Sequence, residues 1–207
     1  MGLEEHQRTV SAQKRTAILG AARRLFGAQG FERVTMNLVA REASVSLATV
    51  YKHFSGKEEL FHAIFNERCE AFVASLQAIQ LEGYRLEEGL CRFARGYATL
   101  LSSENTVETL RLLIGEATAF PSVVGLFFDQ VSEALREPLA RFVTRQLADG
   151  RLRIERESRA LRELLGMVEG GVLWRSLLNG PAVTEAHIEE VADSAVTTWL
   201  ARYRAVS

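Results

Sequence analysis

The chain has 207 residues and a formal net charge of −1, with 47% hydrophobic and 25% charged residues. These values are typical of a folded globular protein, and this length allows one large or two small domains. The sequence has no run approaching the ~20 apolar residues that cross a membrane, and its first residues lack the apolar segment of a signal peptide. It is therefore predicted to be cytoplasmic, with no membrane partner.

Charge is unevenly distributed along the chain. Residues 1–60 contain nine Lys/Arg and six Asp/Glu, a net charge of +3, whereas the remainder has sixteen and twenty, a net charge of −4. All three lysines, Lys14, Lys52 and Lys57, lie in the basic segment. A basic segment suits contacts with phosphate groups, although ordinary variation of surface residues also produces an excess of this size.

The first predicted helix spans residues 14–29. Its apolar residues recur on one helical face, at Ala17, Ile18, Ala21, Ala22, Leu25 and Phe26. Gly30 is predicted to end this helix with a left-handed backbone, and Phe31 is the apolar residue expected after such an end.

The segment from Thr35 to Lys57 predicts two short helices joined by a tight turn, followed at once by a third helix. Thr35 and Ser46 are predicted N-caps, because a hydroxyl can accept a hydrogen bond from an otherwise unpaired backbone N–H. Ser55 and Glu58 have the spacing of a capping box at the start of the third helix. Two short helices in this arrangement predict a helix-turn-helix that binds DNA.

An ordered series of short motifs runs through residues 14–61. It consists of Ile18-Leu19-x-Ala21-Ala22-x-x-Leu25-Phe26, Gly30-Phe31, Thr35, Val39-Ala40, Ala43, Val45-Ser46 and Ala48-Thr49-Val50-Tyr51-Lys52-His53-Phe54-x-x-Lys57-Glu58-x-Leu60. This series resembles the N-terminal domain of the TetR family of transcriptional regulators. The chain departs from the family at Ser44, where glycine is usual in the turn, and at Leu47-Ala48, where many members have a polar residue and glycine.

The resemblance implies that the second short helix enters the DNA major groove. Phosphate contacts are implied for Tyr51, His53 and Lys57. Thr35 and Lys57 also lie at helix N-termini, where backbone N–H groups favour phosphate. An ordinary solvated histidine is the alternative for His53. The candidates for contacts with base edges are Ser46, Leu47, Ala48, Thr49 and Lys52.

The rest of the chain keeps a helical pattern. Helices are predicted over residues 86–101, 104–118, 121–147 and 158–178, with Pro138 expected to kink the third of these, and Thr184 caps a last helix. The predicted fold is all-α with about nine helices. Its predicted domains are a helix-turn-helix domain over residues 1–57, ordered from about residue 11, and a ligand-binding and dimerisation domain over residues 58–207.

The segment 161–178 is apolar over a wide arc and contains three glycines. A glycine inside a helix costs about 1 kcal/mol relative to alanine, which predicts that another helix approaches closely. The resemblance implies that the last two helices pair with their copies in a homodimer, which would bind a near-palindromic double-stranded operator. An ordinary buried helix is the alternative. Candidate interface residues are Leu165, Val168, Gly171, Val172, Val191, Ala195 and Trp199.

The resemblance also implies a small-molecule pocket among the C-terminal helices. Its polar candidates are Arg111, Glu116 and Glu169. The apolar and aromatic candidates are Phe93, Tyr97, Leu113, Phe120, Phe127, Phe128, Met167 and Trp174. Ordinary core packing is the alternative for these side chains, and the sequence does not identify the effector.

An enzyme is not predicted. The four histidines are widely separated, and no nucleophile elbow, phosphate loop or dinucleotide motif occurs, so no catalytic residue, cofactor or metal site is expected. Cys69 and Cys91 show no metal or disulfide spacing and are predicted to be buried or unreactive thiols. The predicted function is a sequence-specific transcriptional repressor that a small-molecule inducer releases from its operator. A transcriptional activator and a ligand-independent DNA-binding regulator are the alternatives.

Overall fold

The computed structural model describes residues 2–205, and over this range the chain is built from nine α-helices. They are α1 (Leu3–Gln29), α2 (Met36–Glu42), α3 (Leu47–His53), α4 (Lys57–Gln77), α5 (Leu86–Ser102), α6 (Glu104–Glu116), α7 (Pro121–Ala148), α8 (Glu157–Leu177) and α9 (Glu185–Tyr203). The described residues form no strand, and an isolated antiparallel bridge joins Leu152 to Arg204. The all-α fold class is confirmed.

Side-chain caps explain where several helices begin. Thr35, Ser46 and Thr184 each accept a hydrogen bond from a backbone N–H three residues later, at 3.1–3.3 Å, as predicted for α2, α3 and α9. The capping box of α4 was predicted one residue too early. Glu59, rather than Glu58, accepts both the N–H and the hydroxyl of Ser55, because α4 begins at Lys57 and Glu59 is its third residue.

The start of α1 differs from the prediction. This helix begins at Leu3, whereas the sequence pattern indicated a helix only from Lys14 and order from about residue 11. The pattern missed these turns because they bury no apolar face: residues 5–17 are exposed except for the half-buried Val10 and Ser11.

The described chain divides into two compact units that are not contiguous in sequence. The first comprises the chain up to Arg68 together with Arg111–Gly125, and the second comprises Cys69–Leu110 and the chain from Leu126 onward. The first unit thus contains the beginning of α4 and the end of α6 in addition to α1–α3. The predicted boundary between residues 57 and 58 lies inside this unit, at the start of α4.

Each unit has its own apolar core. In the first unit, Phe26, Phe31 and Phe61 pack with ring centroids 5.1–5.6 Å apart. In the second unit, α5, α8 and α9 pack against one another. The indole N–H of Trp199 on α9 donates a 2.7 Å hydrogen bond to the carbonyl of Ala160 on α8, which satisfies the polar group of the largest buried side chain.

No helix in the described range is long and apolar enough to span a membrane. Cys69 and Cys91 are free thiols. Burial raises the pKa of both thiols, so both remain protonated and weakly nucleophilic near neutral pH.

Candidate nucleic-acid interface

Helices α2 and α3 are joined by a tight turn with a left-handed residue. Ser44 has φ 54°, a conformation that glycine adopts at lower cost than serine. The N–H of Ser44 donates to the carbonyl of Arg41, and the N–H of Val45 donates to that of Ala40. These bonds hold the turn although serine replaces the glycine that is usual there.

Helix α3 has an inner and an outer side. Val50 is fully buried, and Phe54, which follows the helix, is only 1% exposed, so these two side chains anchor the helix in the first unit. Tyr51 is 51% exposed, and Ala48 and Lys52 are also exposed. The outer surface of α3 therefore carries a phenol, a methyl group and an ammonium group, with no carboxylate in the helix.

The first turn of α3 is fixed by a pair of hydroxyls. Ser46 Oγ lies 2.8 Å from Thr49 Oγ1 and also accepts the N–H of Thr49. Leu47 and Thr49 are half-buried beside them, as is His53 at the other end of the helix. Thr35 is exposed at the start of α2.

The Lys57 side chain bonds to groups within the first unit. Its Nζ donates to the carbonyls of Phe31 and Glu32 at 2.9 and 3.3 Å, and it lies 4.1 Å from the centroid of the Phe31 ring. This ammonium group therefore ties the start of α4 to the turn after α1. Sequence reasoning missed these contacts, because Lys57 and Phe31 are 26 positions apart and no local pattern joins them.

Arg15 on α1 contacts Phe54, the residue that follows α3. Its guanidinium carbon lies 4.7 Å from the centroid of the Phe54 ring. A second arginine, Arg24, pairs with Glu42 at 3.0 Å and ties α1 to the end of α2. Neither contact was foreseen, since both join residues that lie far apart in the sequence.

Four predicted pocket residues belong to the first unit. Glu116 Oε1 accepts the backbone N–H of Phe31, and the Phe120 ring packs against Phe31 and Phe61 with centroids 4.6 Å apart. Both side chains thus have structural partners there. Leu113 is buried, and Arg111 is exposed.

The remaining pocket candidates lie in the second unit. Phe93 and Tyr97 are buried on α5, and the Tyr97 hydroxyl donates a 2.6 Å hydrogen bond to Glu169 on α8. Burial, reinforced by the neighbouring carboxylate, raises the pKa of Tyr97 well above its usual value. Phe127 and Met167 are half-buried, whereas Phe128 and Trp174 are exposed.

Most of the predicted dimer-interface residues pack inside the chain. Val168, Val172, Ala195 and Trp199 are at most 4% exposed, so they have almost no surface left for a partner. A Cβ on Gly171 would lie 2.5 Å from the Val191 side chain, which shows that these two residues bring α8 and α9 together. Leu165 is half-buried.

A different line of α8 is exposed. Trp174 and Leu178, just after the helix, are 64% and 73% exposed. One and two turns before Trp174, Gly170 and Gly166 are exposed as well, and a Cβ at either glycine would meet no atom within 4 Å. The sequence predicted the apolar arc and its glycines, but the interface candidates Val168 and Val172 on this helix are buried within the chain.

Comparison with known proteins matches both parts of the chain to one family. Residues 18–64 match the profile of bacterial regulatory proteins of the tetR family. Residues 88–205 match the profile of the C-terminal domain of AefR-like transcriptional repressors.

Individual relatives agree with these matches. The chain is 27% identical over 192 residues to an HTH-type transcriptional regulator of Mycobacterium bovis, covering 91% of this chain and 89% of that protein. A TetR-family regulator structure from Mesorhizobium loti is similar with a TM-score of 0.79 and 26% identity, covering 94% of this chain and 98% of the other. The structure of the flavonoid-responsive regulator FrrA has a TM-score of 0.78 and 28% identity, covering 95% and 100%.

Proposed function

Because this chain belongs to the TetR family of helix-turn-helix transcriptional regulators, we propose that it represses transcription as a homodimer that a small molecule releases from its operator. The main support for DNA binding is the outer surface of α3, which is exposed and has no carboxylates. Val50 and Phe54 anchor this helix from its inner side. A rigidly anchored helix with a neutral-to-basic outer surface suits the major groove.

We assign two kinds of DNA contact to this surface. Leu47, Ala48 and Thr49 provide apolar groups that suit thymine methyls, and Lys52 provides a donor for guanine. Ser46 lies beside them, with its hydroxyl already used as the N-cap of α3.

Phosphate contacts are assigned to Tyr51, His53 and the N-terminus of α2 at Thr35, where backbone N–H groups and the helix dipole favour an anion. Lys57 is assigned to positioning the start of α4. Its ammonium would have to leave two carbonyls and the Phe31 ring to reach a phosphate.

The dimer interface is proposed on the exposed line of α8 formed by Gly166, Gly170, Trp174 and Leu178. Two glycines with open space above them each cost about 1 kcal/mol relative to alanine, and no atom of residues 2–205 lies close enough to either position to require a glycine. Their place beside two large exposed apolar side chains supports close packing against a second copy of the chain, since such a patch is otherwise unfavourable in water.

The effector is proposed to be a phenolic or other planar aromatic molecule that binds in the C-terminal domain. Two observations support this class: the similarity to a flavonoid-responsive regulator over nearly the whole chain, and the half-buried carboxylate of Glu169, which accepts the Tyr97 hydroxyl. A phenolic ligand would compete with Tyr97 for this acceptor. Release follows if the ligand favours a conformation that binds DNA less tightly.

The test is binding of the purified protein to DNA from upstream of its own gene, beside a randomised DNA pool and a salt series. We expect saturable, sequence-selective binding by a dimer and a protected region with near-twofold symmetry. Flavonoids of several subclasses are then titrated into the complex, with an aliphatic carboxylate of similar size as the control. Unselective binding to every DNA tested would contradict the regulator assignment, and release by the aliphatic control alone would contradict the effector class.

A further inference from the structure

Helix α1 extends beyond the helix-turn-helix, and most side chains of residues 5–17 are exposed to solvent. Residues 5–17 are exposed apart from the half-buried Val10 and Ser11, whereas burial begins at Ile18. At 1.5 Å per residue, the turns before Arg15 reach roughly 18 Å along the helix. A short solvated helix gains little stability by itself.

The inner side of α1 changes from apolar to basic where the helix leaves the core. Residues 18 apart lie at the same helical angle, so Arg8 lies on the line of the buried Phe26, and Lys14 lies one turn before the buried Ile18. Arg15 is on this side as well, over the Phe54 ring. Glu4 and Glu5 stand at the start of the helix, and residues 6–31 then contain five Lys/Arg and no Asp or Glu.

This basic side ends beside the residue that follows α3. Arg15 contacts Phe54, the residue that directly follows α3. The extension of α1 therefore begins next to the C-terminal end of α3, where the Glu59 carboxylate interacts electrostatically with Arg15. From residue 6 to residue 15 the extension carries Arg8, Lys14 and Arg15 and no carboxylate, so it is complementary to a polyanion and does not suit an apolar partner.

We propose that residues 6–15 of α1 form a second DNA contact, in which Arg8 and Lys14 bind phosphates of the DNA that flanks the half-site read by α3. This inference rests on the proposed function. Residues 6–15 rise roughly 14 Å along the helix, which corresponds to about four base pairs of flanking duplex, at about 3.4 Å each. The contact adds affinity and little sequence preference, because phosphates are the same at every position.

The test compares wild type with the double variant R8Q/K14Q on two duplexes, one trimmed to the half-sites and one with about eight additional base pairs on each side. R23Q is the matched control, since Arg23 is an exposed arginine on the same helix but lies outside the basic side.

We expect R8Q/K14Q to bind the long duplex about tenfold more weakly, with a salt slope lower by about 0.9 per lost phosphate contact. We expect equal affinity for wild type and R8Q/K14Q on the trimmed duplex and wild-type behaviour of R23Q on both. Thermal unfolding of R8Q/K14Q should match wild type, because the replaced side chains are exposed.

Equal affinity of wild type and R8Q/K14Q for the long duplex would overturn this inference and leave the proposed function intact. An equal loss on both duplexes would also overturn it, because the contact would then lie within the half-site. If wild type itself failed to bind any duplex selectively, the proposed function would fail together with the inference.

Discussion

The backbone N–H of Phe31 donates a 3.2 Å hydrogen bond to Oε1 of Glu116, a residue 85 positions further along the chain. Phe31 directly follows Gly30, which ends α1 with φ 76°, and Glu116 is the last residue of α6. The bond therefore attaches the end of α6 to the end of α1 within the first unit. A displacement of the end of α6 must either break this bond or move the turn that leads into α2.

Replacing Glu116 tests how much this hydrogen bond contributes to stability. Glu116→Ala leaves the Phe31 N–H without its acceptor and should lower the free energy of unfolding by about 1 kcal/mol. The amide proton of Phe31 should then exchange faster with solvent, as measured by NMR. Glu116→Gln is the control, since its side-chain oxygen can still accept the bond. Unchanged exchange in Glu116→Ala would show that the bond does not protect this turn.

Two substitutions on α3 separate general from base-specific DNA contacts. Lys52→Gln should lower the affinity for the operator by about 1–3 kcal/mol and relax its base preference, if Lys52 donates to guanine. Tyr51→Ala should weaken binding to operator and random DNA to a similar extent, since a phosphate contact carries no sequence information. Both side chains are exposed, so neither change should affect thermal unfolding. Preserved operator affinity in both variants would contradict the assignment of α3 as the recognition helix.

The proposed dimer interface predicts different outcomes for two neighbouring positions of α8. Trp174→Asp places a charge on the exposed line and should yield folded monomers in sedimentation experiments. Val172→Asp buries a charge in the core and should unfold the second unit, because an unpaired buried carboxylate is very costly. Tyr51→Asp, a similar change at an exposed aromatic residue of α3, should remain dimeric. Folded dimers of Trp174→Asp would place the interface elsewhere.

The cap of α4 predicts a specific dependence of stability on pH. The hydrogen bonds from the Ser55 hydroxyl and N–H lower the pKa of Glu59 in the folded state below its usual value of 4.5. In acid the unfolded chain therefore binds a proton at this site before the folded chain does. The stabilisation is complete above about pH 4.5 and is lost as the pH falls through the lower folded-state pKa.

Urea unfolding of wild type and Glu59→Gln at several pH values measures this contribution. The difference in unfolding free energy between them should be largest near neutral pH and should shrink below pH 4.5, the usual value for a glutamate. Glu58→Gln is the matched control, because Ser55 bonds to Glu59 and not to its neighbour. A difference that persisted at low pH would mean that the charge of Glu59 is not what stabilises the cap.

The local elements of this protein were predictable because their signals act over a few residues. The caps at Thr35, Ser46 and Thr184 each pair a side chain with a backbone group three positions away. Gly30 adopts a positive φ where the sequence predicted the end of α1. The amphipathic pattern located eight of the nine helix starts closely and failed only at α1, where the first turns have no apolar side to reveal them.

By itself the sequence determined the helices, the helix-turn-helix and the family, because caps, periodicity and motifs are encoded in neighbouring residues. Only the tertiary structure decided which side of each apolar helix is free. When apolar residues cover more of a helix than one packing contact buries, the sequence does not show that Val172 faces the core and Trp174 faces solvent. The roles of Lys57 and Glu116 also depend on the tertiary structure. Each side chain bonds to a group that is far away in the sequence and comes close only when the chain folds.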